Sequence, residues 1–325
     1  MKNILVTGCA GFIGFHTVLD LLKIKKNKVF GIDNINNYYD PKLKIKRLEV
    51  LKNKKDFQFF KTDLKNKEKL FKIVKKKKIN FIIHLAAQAG VRYSIKKPYD
   101  YLNNNVSVFL NILEACRHYK VKHLVYASTS SVYGEEKRHP LKEDYLNTKP
   151  IQFYAATKVA NEVMAYSYSS LFKFATTGLR FFTVYGPWGR PDMAFYKFTD
   201  SIYKRKKMEV FNYGNHFRDF SYVENISDAI VKSLTLSKAI KTGSEIYNLG
   251  NGNKVQLLKA IELIEKNIGL KSIKNNLQKQ PGDIKGTLAD VRKAKKDLGL
   301  KTGYNIEKGI KNFVNWYKEY HNINQ

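Results

Sequence analysis

The sequence predicts an α/β fold: a doubly wound parallel sheet followed by a smaller C-terminal lobe. Three observations support this class. Short apolar runs rich in β-branched residues alternate with segments of helical periodicity, a glycine-rich loop follows the first run, and the alternation stops after residue 181. At 325 residues the chain is long enough to bury a large core without disulfide bonds.

The alternation itself gives the elements of the sheet. Six apolar runs have the length of buried strands, at 4–7, 28–33, 57–61, 81–85, 123–127 and 176–181. Apolar residues spaced three and four apart predict helices over 12–22, 67–77, 105–119 and 153–172. Each of these segments is long enough to connect two parallel strands, so we expect helices on both faces of the sheet.

The segment after residue 181 has a different character. Proline and glycine are frequent in its loops, and helical periodicity returns only at about 227–237 and 257–267. We therefore expect one domain over residues 1–180 and a smaller lobe over 181–325. A strand-like run at 245–250, within the segment 222–250, leaves open a return of the chain to the main sheet.

The formal net charge of +31 raises the question of a nucleic-acid partner. Of the 59 basic residues, however, 50 are Lys and 9 are Arg, whereas proteins that read phosphates and grooves favour the bidentate guanidinium. The basic runs at 25–26, 75–78 and 204–207 are scattered, which is typical of solvated faces. We expect no nucleic-acid partner, and we expect the positive field to attract an anionic substrate.

Cysteine use and hydropathy indicate the compartment. The chain has no apolar run of 18 residues, and a glycine cluster follows its first strand in place of a signal peptide's apolar core. Cys9 and Cys116 match no metal-ligand spacing and fit a reducing compartment as free thiols. We therefore expect a cytoplasmic protein with no membrane segment and no metal site.

The loop after the first strand reads Thr7-Gly8-Cys9-Ala10-Gly11-Phe12-Ile13-Gly14. Gly8 permits a tight turn, Gly11 lets the backbone approach a pyrophosphate, and Gly14 lets the helix pack closely on the strand. The anion would lie on the helix N-terminus, beside Phe12 and Ile13, where N–H groups are unpaired. This pattern predicts the phosphate loop of a Rossmann fold, with a purely structural glycine turn as the alternative.

Carboxylates end the second and third strands. Asp33 lies 19 residues after Gly14, where its oxygens can accept hydrogen bonds from the 2′- and 3′-hydroxyls of an adenosine ribose and would repel a 2′-phosphate. The cofactor is therefore predicted to be NAD and not NADP. Capping of the following turn is the alternative role for Asp33. Asp63 is placed similarly, where adenine would lie, and Asn34 and Leu64 adjoin the two carboxylates.

Tyr154 and Lys158 stand four residues apart in a predicted helix, so their side chains share one face. A Tyr with a pKa of about 10 is a poor base at neutral pH, but a neighbouring ammonium favours the phenolate. This spacing alone is common by chance. The fifth strand adds a partner, because Ser128-Thr129-Ser130-Ser131 delivers hydroxyls to the carboxyl edge of the sheet, where they can bind a sugar oxygen.

Together these motifs resemble the extended short-chain dehydrogenase/reductase family of nucleotide-sugar enzymes, over essentially the whole chain. The resemblance rests on the glycine loop, on Leu85-Ala86-Ala87-Gln88, on the hydroxyl cluster before Val132-Tyr133-Gly134, and on the Tyr154/Lys158 pair. Within the family, the stretches 33–40, 86–94 and 180–193 are similar in particular to the UDP-glucuronate 4-epimerases. One departure is Val108, which stands where the related helix usually carries Gly.

The resemblance implies roles for individual residues. The catalytic group would be Thr129, Tyr154 and Lys158. The NAD site would comprise Gly8, Gly11, Phe12, Ile13, Gly14, Asp33, Asn34, Asp63, Leu64, Leu85, Ala86, Ala87, Gln88, Asn105, Tyr154 and Lys158. The UDP-sugar substrate would contact Arg92, Thr129, Ser130, Thr183, Arg190, Arg218 and Asp283. It also implies a homodimer through the two helices predicted at 105–119 and 153–172.

The activity implied is interconversion of UDP-glucuronate and UDP-galacturonate at C4, through a transient 4-ketose and with bound NAD. Related dehydratases and decarboxylases carry Glu where this chain has Ser131, so the acid for elimination is missing. UDP-glucose 4-epimerase remains an alternative, although such relatives usually carry Asn where this chain has Thr183. A sugar-nucleotide or RNA-binding protein without activity is a further alternative. Arg190, Arg218 and Asp283 have surface ion pairing as their alternative role.

Overall fold

A computed structural model of the chain describes residues 2–145, 149–235, 243–279 and 284–323. Its largest feature is a parallel sheet of seven strands. In chain order these are β1 (Lys2–Thr7), β2 (Asn27–Asp33), β3 (Phe57–Lys61), β4 (Phe81–His84), β5 (His123–Thr129), β6 (Ala175–Phe181) and β10 (Ser244–Leu249). They lie side by side in the order β10-β6-β5-β4-β1-β2-β3. The order reverses between β1 and β4, which opens a crevice at their carboxyl ends.

The strands are apolar on both sides because both faces of the sheet are covered. Ile4 and Val6 of β1 belong to one core, whereas Leu5 between them belongs to a second core on the opposite face, and all three are fully buried. The register places Val6 between Gly31 of β2 and Ile83 of β4. The predicted doubly wound parallel sheet is confirmed.

Helices cover both faces of this sheet. They are α1 (Phe12–Leu22), α2 (Lys42–Lys52), α3 (Lys67–Lys76), the short α4 (Val91–Lys96) and α5 (Pro98–Tyr101), α6 (Val108–His118) and α7 (Phe153–Phe172). α1 and α7 have the bounds that the periodicity predicts. A π-helical segment, Leu102–Ser107, precedes α6, so the single helix expected over 105–119 is divided in two. A 3₁₀ turn, Ser130–Tyr133, follows β5.

The sequence pattern did not predict α2. Its apolar positions Leu43, Leu48 and Leu51 are buried, but so are Lys44 and Arg47 on the same side. A helix that buries two cations has no clean apolar stripe, so its amphipathic signal disappears.

The C-terminal lobe has a separate core. Its strands form a three-stranded sheet, β7 (Thr183–Tyr185), β9 (Phe217–Tyr222) and β11 (Lys254–Gln256), and a parallel pair, β8 (Lys207–Phe211) and β12 (Ile273–Leu277). Its helices are α8 (Ala194–Tyr203), α10 (Leu257–Ile268) and α12 (Ile306–His321), whereas α9 (Val223–Ser233) and α11 (Arg292–Leu298) contribute to the core of the large sheet. Aromatic residues dominate the core, including Phe195, Phe220, Phe313 and Tyr317.

The chain crosses between the two lobes more than once. α9 begins four residues before the predicted 227 and packs against α1, and β10 then pairs in parallel with β6 at the edge of the large sheet. Residues from 223 onward therefore contribute to the first core as well as to the C-terminal lobe. A functional division at residues 180 and 181 stays a prediction.

Candidate active site

A deep cleft runs along the carboxyl ends of the strands, between the sheet and the C-terminal lobe. It encloses about 1450 Å³ between its atoms, including the open mouth. The predicted residues that line it are Gly8, Gly11, Phe12, Ile13, Gly14, Asp33, Asn34, Asp63, Leu64, Leu85, Ala86, Ala87, Gln88, Thr129, Tyr154, Lys158 and Arg190. Residues that are distant in the sequence thus meet at one site, as expected for the switch point of a doubly wound sheet.

The glycine loop forms one wall of this cleft. Gly8 has a φ of +70°, and a Cβ added there would lie 2.7 Å from the Ala86 nitrogen. A Cβ at Gly14 would overlap the carbonyl oxygen of Gly8, so the close packing of α1 on β1 requires glycine at this position. α1 has no acidic residue in its first turn and no side chain capping its N-terminus, which leaves its first amides for an anion.

Carboxylates lie at the far end of the cleft, as the sequence predicts. Asp33 is half-buried and accepts hydrogen bonds from the backbone nitrogens of Ile35, at 2.8 Å, and Ala10, at 3.2 Å. Burial raises the pKa of Asp33, against the lowering effect of the Ile35 hydrogen bond and of the Lys44 charge. Asp63 accepts from the Asn34 amide at 3.3 Å. With the glycine cradle, these groups fit a dinucleotide whose adenosine lies beside Asp33.

Tyr154 faces the opposite end of the cleft, beside Thr129. Burial raises the pKa of the Tyr154 phenol, whereas the charge of Arg190 and the hydrogen bond with the Thr129 hydroxyl both lower it. The sequence pattern predicted that the Lys158 ammonium would have this lowering role. In the structure the lowering groups are instead Arg190 and Thr129.

Lys158 is 1% exposed and points beneath Tyr154 towards the end of β5. Its Nζ donates to the carbonyl oxygen of Ala127 at 3.0 Å and to Oδ1 of Asn161 at 3.4 Å. Burial lowers the pKa of Lys158 to about 8, and the carboxylate of Glu162 opposes that shift. Its ammonium is thus held by fixed acceptors from two elements.

Asn105 links the π-helical segment to both walls of the cleft. Its Oδ1 accepts from the Gln88 nitrogen at 2.8 Å, and its Nδ2 donates to the Gln88 carbonyl and to the Thr157 hydroxyl, each at 3.1 Å. Asn161 donates to the Asn105 carbonyl at 2.8 Å. Asn105 therefore positions the Gln88 backbone and α7, while Val108, in the place of the family's Gly, is buried and lines the cleft.

Arg190 lies on the loop between β7 and α8 and reaches into the cleft near Tyr154. Its guanidinium forms a bidentate ion pair with Asp192, with Nε 2.9 Å from Oδ1 and Nη2 2.7 Å from Oδ2. Tyr38 donates to the same carboxylate at 3.3 Å. Cleft position and ion pairing, which the sequence posed as alternatives for Arg190, are both present.

The remaining predicted substrate residues agree less well with the residues that line the cleft. Thr183 shares a small side pocket with Arg190, and Ser130 directly follows Thr129. Arg92 and Arg218 are not among the residues lining the main cleft: Arg92 stacks on Phe211 at 4.1 Å, and Arg218 donates to the Phe217 carbonyl at 2.8 Å. Asp283 lies outside the described residues.

Two basic residues of α2 were missed by the sequence reasoning. The fully buried Arg47 donates to the carbonyl oxygens of Ala10, at 2.9 Å, and Trp188, at 2.5 Å. It therefore ties the glycine loop to the loop that carries Arg190. Lys44 lines the cleft and donates to Asn36, at 2.6 Å to Oδ1 and 2.9 Å to the carbonyl oxygen.

The family model described as GDP-mannose 4,6 dehydratase matches residues 5–313 of the chain. The chain belongs to this family of extended short-chain dehydrogenases/reductases. An uncharacterized protein of Methanocaldococcus jannaschii is 48% identical over 319 residues, which cover 98% of this chain and 97% of the relative. UDP-glucuronate 4-epimerase of Thermodesulfobacterium geofontis is 42% identical over 320 residues, which cover 98% of this chain and 97% of the relative.

Solved structures of the family agree with the fold. The crystal structure of UDP-glucuronic acid 4-epimerase from Bacillus cereus, in complex with UDP-glucuronic acid and NAD, matches with a TM-score of 0.92. The two chains are 35% identical, and the match covers 98% of this chain and 100% of that one.

Within this member of the family, the described residues contain no group of His, Cys, Asp and Glu side chains arranged to hold a metal ion. Among the same residues no helix has the length and apolar character needed to span a bilayer. The cleft instead combines a cradle for a dinucleotide, a phenol beside a hydroxyl, and a guanidinium. These groups suit proton transfer at a sugar hydroxyl next to a bound nicotinamide.

Proposed function

We propose that the protein is an NAD-dependent UDP-glucuronate 4-epimerase, which interconverts UDP-glucuronate and UDP-galacturonate. The observation that carries the proposal is the convergence of Tyr154, Thr129 and Arg190 at one end of a cleft whose other end fits an adenosine. The names of the Thermodesulfobacterium geofontis relative and of the Bacillus cereus structure support this substrate.

The proposed reaction begins at the C4 hydroxyl of the sugar. NAD, when bound, supplies the acceptor for the hydride that leaves C4 of the sugar, and the same hydride later returns to the opposite face of the 4-ketose, so no net oxidation occurs. Tyr154 takes the proton of the 4-hydroxyl and gives it back after the 4-ketose has turned over. Thr129 shares the sugar oxygen with Tyr154, and the Lys158 ammonium, fixed on Ala127, orients the nicotinamide ribose.

In this proposal Arg190 protects the 4-keto intermediate from loss of CO2. Oxidising C4 of a uronate creates a β-keto acid, which loses CO2 when its C5–carboxyl bond aligns with the ketone π system. A guanidinium fork can grip both carboxylate oxygens, fix the position of the carboxylate and so keep the C5–carboxyl bond out of that alignment. Thr183, in the pocket beside Arg190, and Ser130 supply further hydrogen bonds.

Individual residues count against the alternative functions. The matched family model is described as a dehydratase, but Ser131 holds the position of the eliminating acid, and its Oγ lies 3.3 Å from the Thr129 hydroxyl. UDP-glucose 4-epimerase remains the second candidate, because the same Tyr154 and Lys158 serve both sugars. An inactive sugar-nucleotide or RNA-binding protein is disfavoured, since the catalytic side chains are all present.

One assay tests the proposal. Purified protein is incubated with UDP-glucuronate or UDP-glucose, and the nucleotide sugars are separated by chromatography. We expect a mixture of UDP-glucuronate and UDP-galacturonate from the first substrate and much slower conversion of the second. Conversion of UDP-glucose alone would contradict the uronate assignment.

We also propose that the enzyme is a cytoplasmic homodimer. Apolar residues on α7 are strongly exposed, with Val163 at 64%, Tyr166 at 66% and Leu171 at 68%, and Leu110 of the neighbouring α6 is 41% exposed. Large exposed apolar residues on two neighbouring helices are typical of a subunit interface. The buried free thiols of Cys9 and Cys116 support a reducing compartment.

A further inference from the structure

The helix face that carries Tyr154 and Lys158 continues to a third titratable residue, Glu162. Spacings of four residues place all three side chains in one row along α7. Glu162 is 9% exposed, so its charge must be balanced inside the protein. The site described above does not use this carboxylate.

Two elements of the sheet balance the charge of Glu162. Arg180 of β6 forms a bidentate ion pair with it, with Nε 2.9 Å from Oε1 and Nη2 2.8 Å from Oε2. The Ser128 hydroxyl of β5 donates to Oε1 at 2.5 Å. Arg180 also donates to the Tyr133 hydroxyl at 2.9 Å, and Tyr133 donates to Asn248 at 2.6 Å. The carboxylate is thus locked in place.

These contacts converge on the end of β5, where three consecutive residues form hydrogen bonds with α7 through a backbone carbonyl or a hydroxyl. Ala127 accepts the hydrogen bond from Lys158, Ser128 donates to Glu162, and Thr129 is bonded to Tyr154. Each of the three residues in the row on α7 therefore has its own partner in β5. Glu162 fixes the middle of this three-residue segment.

We propose that Glu162 is a positioning residue. Its carboxylate, anchored by Arg180, holds Ser128, and with it Thr129, in register with Tyr154, and it lies one helical turn from Lys158 on the same face of α7, where its negative charge favours the ammonium. A buried ion pair contributes little stability by itself, because desolvation offsets the Coulomb attraction, so the Glu162–Arg180 pair is better explained by what it orients. This inference deepens the proposed function and rests on it for its catalytic consequence only.

The remaining groups near Lys158 do not replace Glu162. The titratable and charged side chains that face this region from the packed elements are Tyr154 and Glu162 of α7, His84 of β4, Tyr126 of β5, Tyr133 of the 3₁₀ turn and Arg180 of β6. Burial and the Lys158 charge lower the pKa of His84 to about 3, so this ring is neutral. Glu162 is thus the carboxylate in this described set that opposes the burial of Lys158.

The test follows Lys158 directly in the full-length protein without substrate. Protein labelled with [ε-¹³C]lysine is titrated by NMR, and the Lys158 signal is assigned as the one missing in Lys158→Met. We expect a midpoint of about 8 in the wild-type protein. In Glu162→Gln the midpoint should fall by about 1 to 3 units, because the ammonium has lost its opposite charge.

Control variants separate charge from folding. Ser128→Ala removes the hydrogen bond to Glu162 but keeps the carboxylate, so the Lys158 midpoint should stay near its wild-type value. Glu162→Asp keeps a carboxylate, so its Lys158 midpoint should lie close to the wild-type value. If Arg180, left unpaired, unfolds the single variant, Glu162→Gln with Arg180→Gln replaces the pair by two amides. A smaller fall of the Lys158 midpoint is then expected, because a cation is removed together with the carboxylate that lies one turn from Lys158.

Activity gives the second arm. In Glu162→Gln, the alkaline loss of UDP-glucuronate turnover should begin at a lower pH than in the wild-type protein, because the Lys158 ammonium loses its proton at a lower pH. A Lys158 midpoint that changes by less than about 0.3 units in both Glu162 variants carrying Gln would overturn the inference. Absence of turnover in the wild-type protein would instead count against the proposed function and would leave the titration result standing.

Discussion

Arg190 and Asp192 form a bidentate ion pair inside the cleft, with donor–acceptor distances of 2.9 and 2.7 Å. The guanidinium expected to hold a substrate carboxylate is therefore already paired with a carboxylate of the protein. Of the five N–H donors of an Arg side chain, the pair uses two. A bound uronate must either use the remaining donors or displace Asp192, and in both cases Asp192 fixes the plane of the fork beforehand.

We expect Arg190→Ala to slow turnover of UDP-glucuronate far more than any residual turnover of UDP-glucose. It should also raise the fraction released as UDP-4-keto-pentose, because the C5–carboxyl bond of the 4-keto intermediate is then free to move into alignment with the ketone π system, as loss of CO2 requires. Mass spectrometry of the reaction mixture measures both. Arg190→Lys is the matched control, because it keeps the charge without the planar fork. Unchanged uronate preference with no decarboxylated product would contradict the assignment.

Tyr154→Phe should lower turnover by about 10²–10⁴-fold, the range for a positioned acid/base group, and leave UDP-sugar binding nearly intact. Thr129→Ala should have a smaller effect, because Tyr154 remains. Tyr99→Phe, at a tyrosine of α5 that is 76% exposed and is not among the residues lining the cleft, controls for loss of a hydroxyl as such. Steady-state kinetics and calorimetric binding distinguish the outcomes. A residual rate above about a tenth for Tyr154→Phe would point to another base.

The free enzyme should bind NAD at least about tenfold more tightly than NADP, because the Asp33 carboxylate would lie against a 2′-phosphate. The basic groups near Asp33 do not cancel this effect, since Arg47 donates to Ala10 and Trp188, and Lys44 donates to Asn36. Calorimetry on cofactor-stripped protein measures both affinities, and Asp33→Asn should narrow the difference. Comparable affinities in the wild-type protein would refute the assignment.

Val163→Arg should convert the proposed dimer to monomers, since it places a charge in the exposed apolar surface of α7. Ile24→Arg is the matched control, because Ile24 is 47% exposed and follows the end of α1, outside the two helices of the proposed interface. Sedimentation velocity at several concentrations reads the assembly state. A wild-type protein that sediments as a monomer throughout would contradict the dimer proposal.

Much of the cleft was predictable because its signals are local. The glycine loop, the carboxylate at the end of β2 and the Tyr154/Lys158 spacing each lie within one strand–loop–helix unit, where periodicity fixes which side chains meet. Parallel strands then bring their carboxyl ends to one edge. This rule placed the hydroxyl cluster 128–131 at that edge, and the family resemblance then selected Thr129 within the cluster.

The residues that were missed depend on packing between distant segments. α2 was missed because Lys44 and Arg47 are buried on its inner side and hide its apolar periodicity. Glu162 has no local motif, since its partners Ser128 and Arg180 meet it only when β5 pairs with β6. The π-helical segment around Asn105 reflects a shift in backbone hydrogen bonding that side-chain spacing does not encode.

The pairing of β10 with β6 has a consequence for engineering this enzyme. A fragment that ends near residue 180 would lack β10 and would leave β6 as an unpaired edge strand, whose backbone groups could pair with other chains. The segment Val223–Ser233, which packs on α1, would be missing as well. The nucleotide-binding half is therefore not an autonomous module, and chimaeras that exchange specificity should graft the loops around Arg190 and leave the C-terminal chain in place.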